Sequence, residues 1–430
     1  MKLTIEKAIY GGAGLARHEG KAIFVPLTLP GEQVEAHLVR EKSGYAEAAL
    51  DKIIERSAER VPPPCPVYGS CGGCHYQHAA YGEQLKIKSS ILRESLERAR
   101  IADLPEMEPV SAEPFGYRNR IRLHVQRNPF ALCYKRMGSN QNLPVEQCPI
   151  AAPLLQTAIA TLTGIGTTLG LGAWVEEIEL FTNERSLLLS IWTRLAQKQA
   201  AKELEKMWAA LQTALPQTAG IGVFPSTPDR NPGRLLQHAG ESSLSYPVVQ
   251  REYQVSFGSF FQTNRFLLDR FVDLVTGDGK GRTAWDLYAG VGLFSLPLAE
   301  RFEQLVAVES AESSIKDLRR NLRAAAEGPR NHRIVAAETL SFLRTASSRK
   351  EETPDLVVVD PPRTGLGREV TTLLSAVRAP HITYVSCDPA TLSRDVKALL
   401  ESGYHLRRIQ MVDMFPNTFH LECILQLTLR

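Results

Sequence analysis

The chain has 430 residues, 43% hydrophobic and 23% charged, with a formal net charge of +3. That length exceeds what one ordinary core absorbs, so two or three globular domains are expected. No apolar run reaches bilayer length, and the opening MKLTIEKAIYGG lacks a signal-peptide core, so a cytoplasmic protein with no membrane partner is expected.

The first 57 residues divide into short strand-like runs (LTIEKAIY, KAIFVP, QVEAHLVR, YAEAALDKII) separated by Gly- and Pro-bearing turns. Such spacing predicts a small barrel of the OB type. The Pro run at 62–64 then leads into PPPCPVYGSCGGCHYQH, which carries Cys65, Cys71 and Cys74. Thiolates grouped this tightly hold zinc or iron–sulfur, and spacing alone does not separate the two. Cys148, in the loop EQCPI, is the best fourth ligand, whereas Cys133 in FALCYK has the setting of a core residue.

Residues 84–100 carry helical apolar spacing at Leu85, Ile91, Leu92 and Leu96. The following YRNRIRLHVQ alternates as a strand, with Ile121, Leu123 and Val125 on one face and Arg118, Arg120 and Arg122 on the other. From Pro114 to Pro144 there are six Lys or Arg and no Asp or Glu. Three arginines on one strand face repel unless an anion lies across them, and the expected anion is RNA phosphate. Residues 151–250 predict further mixed α/β structure, with GIGVFPSTPDRNPGR as a long loop.

From about residue 283, strand-like and helical segments alternate regularly: TAWDLYAG, LVAVE, RIVAAE, DLVVVDPP, HITYVSCDP and CILQLTL are strands, with helices such as SSIKDLRRNLRAAAE and ATLSRDVKALLESG between them. This alternation builds an open, mainly parallel sheet whose ligands bind at the carboxyl ends of the strands. The turn from Asp286 to Gly292 (DLYAGVG) leaves the first strand, and Glu309 ends the second. Glycines let the backbone approach a nucleotide, and an acid at the second strand end suits ribose hydroxyls. Ser295 stands where a dinucleotide fingerprint would place its third glycine, so a cofactor without pyrophosphate is favoured, and Asp360 in DPPR completes a methyl-donor site.

The combination of DLYAGVGLF, VVDPPRTGL, VSCDPATLSRD and DMFPNTFHLE resembles the bacterial RNA 5-methyluridine methyltransferase family. The N-terminal runs resemble its TRAM domain, and CPVYGSCGGCHYQH resembles its iron–sulfur segment, so the likeness covers nearly the whole chain. The resemblance implies an α/β fold: a Rossmann-like S-adenosylmethionine methyltransferase sheet (251–430), an N-terminal OB-type TRAM β-barrel (1–57) and a central α+β iron–sulfur domain (58–250). It implies Cys387 as nucleophile and Glu422 as proton acceptor, with cofactor contacts at Gln262, Tyr288, Glu309 and Asp360. It further implies a [4Fe-4S] cluster on Cys65, Cys71, Cys74 and Cys148, and RNA as partner, 23S rRNA ahead of tRNA, with the enzyme a monomer. Leu293 and Ala336 depart from polar residues carried by some relatives.

The chemistry accounts for these residue types. Carbon 5 of uracil is a poor nucleophile until a thiolate adds to carbon 6, and a base must afterwards remove the carbon-5 proton. Cys387 stands at a strand end just before a helix starting at Pro389, where the helix dipole is expected to favour a thiolate. The target base has to leave the stack, and Phe260 and Phe261 beside Gln262 are candidate stacking partners. A 5-methylcytidine enzyme would carry a cysteine in its Asp-x-Pro segment, which DPPR lacks, and Arg363 argues against an amino-methyltransferase. From another class, a non-catalytic iron–sulfur RNA-binding protein would retain the thiols without Cys387 and Glu422.

Overall fold

The computed structural model describes residues 1–227, 234–324, 331–349 and 351–429. The N-terminal runs form a six-stranded sheet in which every neighbour pair is antiparallel except Lys21–Pro26 with Tyr45–Glu55. Alternate residues point inward, as the period of two demands, and Leu3, Ile5, Ala16, Ile23, Val25, Val34 and Ala46 make a small separate core.

A second sheet has seven strands in the order Asn142–Pro144, Ala131–Lys135, Arg120–Gln126, Val175–Thr182, Leu187–Thr193, Thr218–Pro225, Gln237–Gly240. Only Leu187–Thr193 with Thr218–Pro225 is parallel, and helix Gln197–Ala214 makes that crossover. The first half of the expected loop GIGVFPSTPDRNPGR is therefore strand, since residues 221–224 are buried in the sheet, while 228–233 lie outside the described residues.

The third sheet carries the regular alternation. Its strands run in the order Asn331–Ala336, Phe302–Glu309, Gly281–Leu287, Leu356–Val359, His381–Ser386, Glu422–Leu429, Tyr404–Val412 and Pro109–Val110. The first five are parallel, and Glu422–Leu429 lies antiparallel between His381–Ser386 and Tyr404–Val412. Near-continuous apolar strands such as Leu356–Val359 are buried on both faces, as parallel strands covered by helices must be.

The division of the sequence at residues 58 and 251 needs one correction. Helix Tyr81–Arg98 and the short strand Pro109–Val110 fall in the stretch assigned to the central domain, yet both join the third sheet. Ile87, Ile91, Leu92 and Leu96 of that helix pack with Leu392, Val396, Ile409 and Met411 in one core. Burying each such side chain contributes about 1.5–3 kcal/mol, so the helix is bound to the catalytic unit by its apolar stripe. Among the described residues, no helix is long and apolar enough to cross a membrane.

Candidate active site

The turn after strand Gly281–Leu287 bends sharply. Tyr288 holds a left-handed φ of 68°, uncommon for a bulky residue, and Gly292 has φ 93°. A Cβ on Gly292 would lie 2.8 Å from Leu318 Cδ1, so only glycine fits there. Glu309 braces the turn from the next strand: one carboxylate oxygen accepts from Gly290 N at 2.8 Å, the other from Ser310 N and Ala311 N at 2.7 Å each.

Behind the turn, Asp286 is fully buried and takes the Ser295 hydroxyl on one oxygen, while its Oδ1 has no partner. Burial and the Glu309 charge push its pKa up to about 7, against the opposing Ser295 bond. Asp360, one residue past strand Leu356–Val359, is likewise pushed up to about 7 by burial and by Asp286. An unpaired buried carboxylate oxygen beside a glycine turn fits a cationic or hydroxyl-bearing nucleotide cofactor. Gln262 is buried, its main-chain carbonyl accepting from Asn119 Nδ2 at 3.0 Å. Leu293 is buried and gives its carbonyl to the Tyr253 hydroxyl, and Ala336 is exposed at a strand end.

Cys387 and Glu422 meet through strand register. Ser386 pairs with Cys423 in the antiparallel ladder, so position 387 lies opposite 422. Burial, Glu422 and Asp360 together push the Cys387 thiol up to about 11, with Arg363 acting against them. Glu422 is held well above the usual carboxylate range by burial and by Asp360, again opposed by Arg363. Cys387, the carboxylates and Arg363 thus form one electrostatic group at the carboxyl ends of the strands. Asp388 caps helix Pro389–Glu401 by accepting from Ala390 N and Thr391 N, so the expected help of the helix dipole to Cys387 is set against burial and the Glu422 and Asp360 charges.

The arginine stripe is also changed by its neighbours. Strand Val175–Thr182 brings Glu177 and Glu179 against it: Arg122 meets Glu177 at 2.5 Å, and Arg120 meets Glu179 at 3.5 Å. Arg120 also donates to the Ser259 carbonyl and covers Phe181, while Arg122 covers Trp192. The anions that let these arginines share a face are the protein's own, and an RNA backbone is not needed to explain them. Arg118 and Arg122 both line a chamber of about 570 Å³ that Cys65, Cys71, Cys74 and Cys148 also line. Cys133 does not line it.

Around that chamber Tyr134 hydrogen-bonds Cys148, Gln77 bonds Cys74, and the buried Arg118 Nε has no partner. Burial pushes Cys74 up to about 12. Among the described residues, no group of three His, Cys, Asp or Glu side chains is gathered so as to hold a single metal ion. Four thiols spaced around a cavity, with an unneutralised cation at its wall, fit a larger anionic group better than one zinc ion.

Sequence reasoning missed three features here: the role of Arg363 in DPPR, whose charge opposes the raised pKa of both Cys387 and Glu422, the buried pair Lys88–Asp413, and Asn417. Asp413 and Asn417 lie within DMFPNTFHLE, but nothing in that motif names their partners.

An open sheet with a glycine turn, a braced acid and a thiol–carboxylate pair at its strand ends defines a nucleotide-cofactor transferase fold. The family described as tRNA (Uracil-5-)-methyltransferase matches residues 80–430. An uncharacterized RNA methyltransferase of Aquifex aeolicus is 35% identical over 99% of this chain and 97% of its own. The 23S rRNA (uracil(1939)-C(5))-methyltransferase RlmD of Aeromonas hydrophila is 31% identical over 98% of this chain and 94% of its own. Among solved structures, the Pyrococcus abyssi tRNA (uracil-54, C5)-methyltransferase in complex with S-adenosyl-L-homocysteine is similar at TM-score 0.77 and 25% identity, covering 99% of each chain. The chain belongs to the tRNA (uracil-5-)-methyltransferase family, whose members are RNA uracil-5-methyltransferases.

Proposed function

We propose that the protein methylates carbon 5 of one uridine in 23S rRNA through a covalent adduct between Cys387 and carbon 6. The observation that carries this is the register that sets Cys387 opposite Glu422 beside Asp360. S-adenosylmethionine, held by Gln262, Tyr288, Glu309 and Asp360, supplies the methyl group as an electrophilic sulfonium. Cys387, only partly buried, gives its proton to solvent water, and its thiolate bonds carbon 6, moving the ring's π electrons toward O4 as an enolate. Carbon 5 then takes the methyl group. Glu422 removes the carbon-5 proton, the C5–C6 double bond re-forms, and the C6–S bond breaks with its electrons returning to sulfur. The raised pKa of Glu422 makes its ionised carboxylate a stronger base toward the carbon-5 proton, and the nearby Arg363 charge favours that ionised form. Arg363 is the nearby cation able to favour both anionic forms.

Phe260 is the stacking partner for the extruded base. It is 63% exposed, whereas Phe261 is 2% exposed and packs on Tyr246 and Phe181 in the core. Aromatic faces of this kind bind splayed bases without sequence preference. The N-terminal sheet is taken as a TRAM barrel that adds contact to the RNA.

The rRNA assignment is supported by the RlmD relatives, while the solved Pyrococcus abyssi relative acts on tRNA and supports tRNA as the second reading. Mass-spectrometric mapping of 5-methyluridine in cells with and without this gene tests both. Loss of one site in 23S rRNA is expected. Loss confined to tRNA selects the second reading, and no loss in either RNA removes the proposal.

The four-thiol chamber is proposed to hold a [4Fe-4S] cluster. The group would carry net negative charge against Arg118 and would accept hydrogen bonds such as that of Tyr134. Anaerobically purified protein is expected to be brown and to contain iron and sulfide. Cys148→Ser should lose both, and Cys133→Ser should keep both. Stoichiometric zinc without sulfide would overturn the assignment.

A further inference from the structure

The segment 413–420 ends two residues before Glu422; Asp413 N donates to the Val110 carbonyl of the sheet and Arg363 reaches His420, and most of its other holds come from residues 75–117. Lys88 Nζ reaches Asp413 Oδ1 at 2.6 Å and the Phe415 carbonyl at 2.9 Å, and the Tyr81 hydroxyl donates to Asp413 Oδ2. The Tyr117 hydroxyl donates to the Pro416 carbonyl. Asn417 is the centre of the clamp. It is buried with φ 66°, its N–H donates to Gln84 Oε1, its Oδ1 accepts from Gln84 Nε2, and its Nδ2 donates to the Pro114 carbonyl.

The Asn417 carbonyl is taken by the cysteine loop. His75 N and Tyr76 N donate to it at 2.8 and 3.0 Å, directly after Cys74. The His75 ring also packs on Phe419 with centroids 4.6 Å apart, and Tyr10 meets the other side of Phe419 at 5.4 Å. Nine polar contacts and an aromatic cluster therefore tie the approach to Glu422 to residues that perform no chemistry.

We infer that the Cys65–Cys74 loop is a positioning element for the base: through His75, Tyr76 and Asn417 it sets where the Glu422 carboxylate meets carbon 5. The inference rests on the adduct mechanism proposed above. Rigid packing transmits such placement because buried hydrogen-bonded groups have few alternative arrangements, and a shift near 1 Å at a reacting group costs on the order of 10²-fold in rate. Proton removal is the step that should suffer, since Cys387 and the cofactor cradle are held by other strands.

Asn417→Gly keeps the left-handed backbone and removes two side-chain contacts, to Gln84 Nε2 and to the Pro114 carbonyl; Gln84→Met, of similar volume, removes both Gln84 bonds to residue 417. In both, cofactor affinity and single-turnover methyl transfer to a 23S rRNA fragment are expected to stay within about twofold of the parent. Release of methylated RNA should slow roughly tenfold or more, so a protein–RNA adduct accumulates on denaturing gels. Methyl transfer and release falling together, with no adduct, would make these contacts merely structural and overturn the inference. Glu422→Gln is the control. If it traps no adduct the mechanism itself fails; if it traps adduct while Asn417→Gly and Gln84→Met do not, only this inference fails.

Discussion

Glu422→Gln is expected to remain bonded to its methylated RNA, and Cys387→Ala to form no bond at all. The two variants stop the reaction on opposite sides of methyl transfer. Without the Cys387 thiol there is no nucleophile for carbon 6, so neither methylation nor a gel-stable complex should appear. Glutamine at 422 leaves thiolate addition and methyl transfer intact but takes no proton from carbon 5, so elimination stalls. Turnover should fall by roughly 10²–10⁴-fold, the usual worth of a positioned base. The adduct should require S-adenosylmethionine, and the double variant should show none. Normal turnover by Glu422→Gln would move the role to Asp360, which shares the same electrostatic group. Methylation by Cys387→Ala would remove the adduct mechanism altogether.

Lys88→Met is expected to cost about 3–5 kcal/mol of stability, the usual result of stranding one partner of a buried ion pair. Lys88 and Asp413 side chains are 0% and 1% exposed, and the ammonium also satisfies the Phe415 carbonyl. Burial lowers the Lys88 pKa, and Asp413 acts against it, so the pair survives as a pair. Methionine fills the volume but leaves the Asp413 carboxylate without its cation, with the Tyr81 hydroxyl as donor. A thermal melt should show the loss. Lys88→Met with Asp413→Leu should recover most of it, because removing both charges leaves no uncompensated ion. A Lys88→Met melt equal to the parent's would mean that water reaches the pair.

Local pattern determined more of this protein than its chain order would lead one to expect. The period of two in QVEAHLVR and YAEAALDKII, and the apolar runs LVAVE and DLVVVD, state their strands outright because burial on one or both faces dictates them. The glycine turn and Glu309 are legible because a nucleotide site asks for those residue types at strand ends, whereas Cys387 and Glu422 are singled out by the family resemblance of VSCDPATLSRD and DMFPNTFHLE. The strand Tyr404–Val412 was not legible: YHLRRIQMV has no alternation, since it is buried at one end and exposed in its middle.

Only the tertiary structure decided what stands across from each charge. Arg118, Arg120 and Arg122 share a strand face in sequence, but Glu177 and Glu179 come from a strand more than fifty residues on and neutralise two of them, while Arg118 faces the four thiols. Asp388, next to Cys387 in the chain, competes with it for the helix donors, and that outcome depends on rotamer and cap geometry. Helix Tyr81–Arg98 belongs to the catalytic unit although some 180 residues separate it from the first strand of the parallel core. Sequence reports what a residue can do within a few neighbours; electrostatics and packing depend on distances through space, and those are set when strands far apart in the chain come into register.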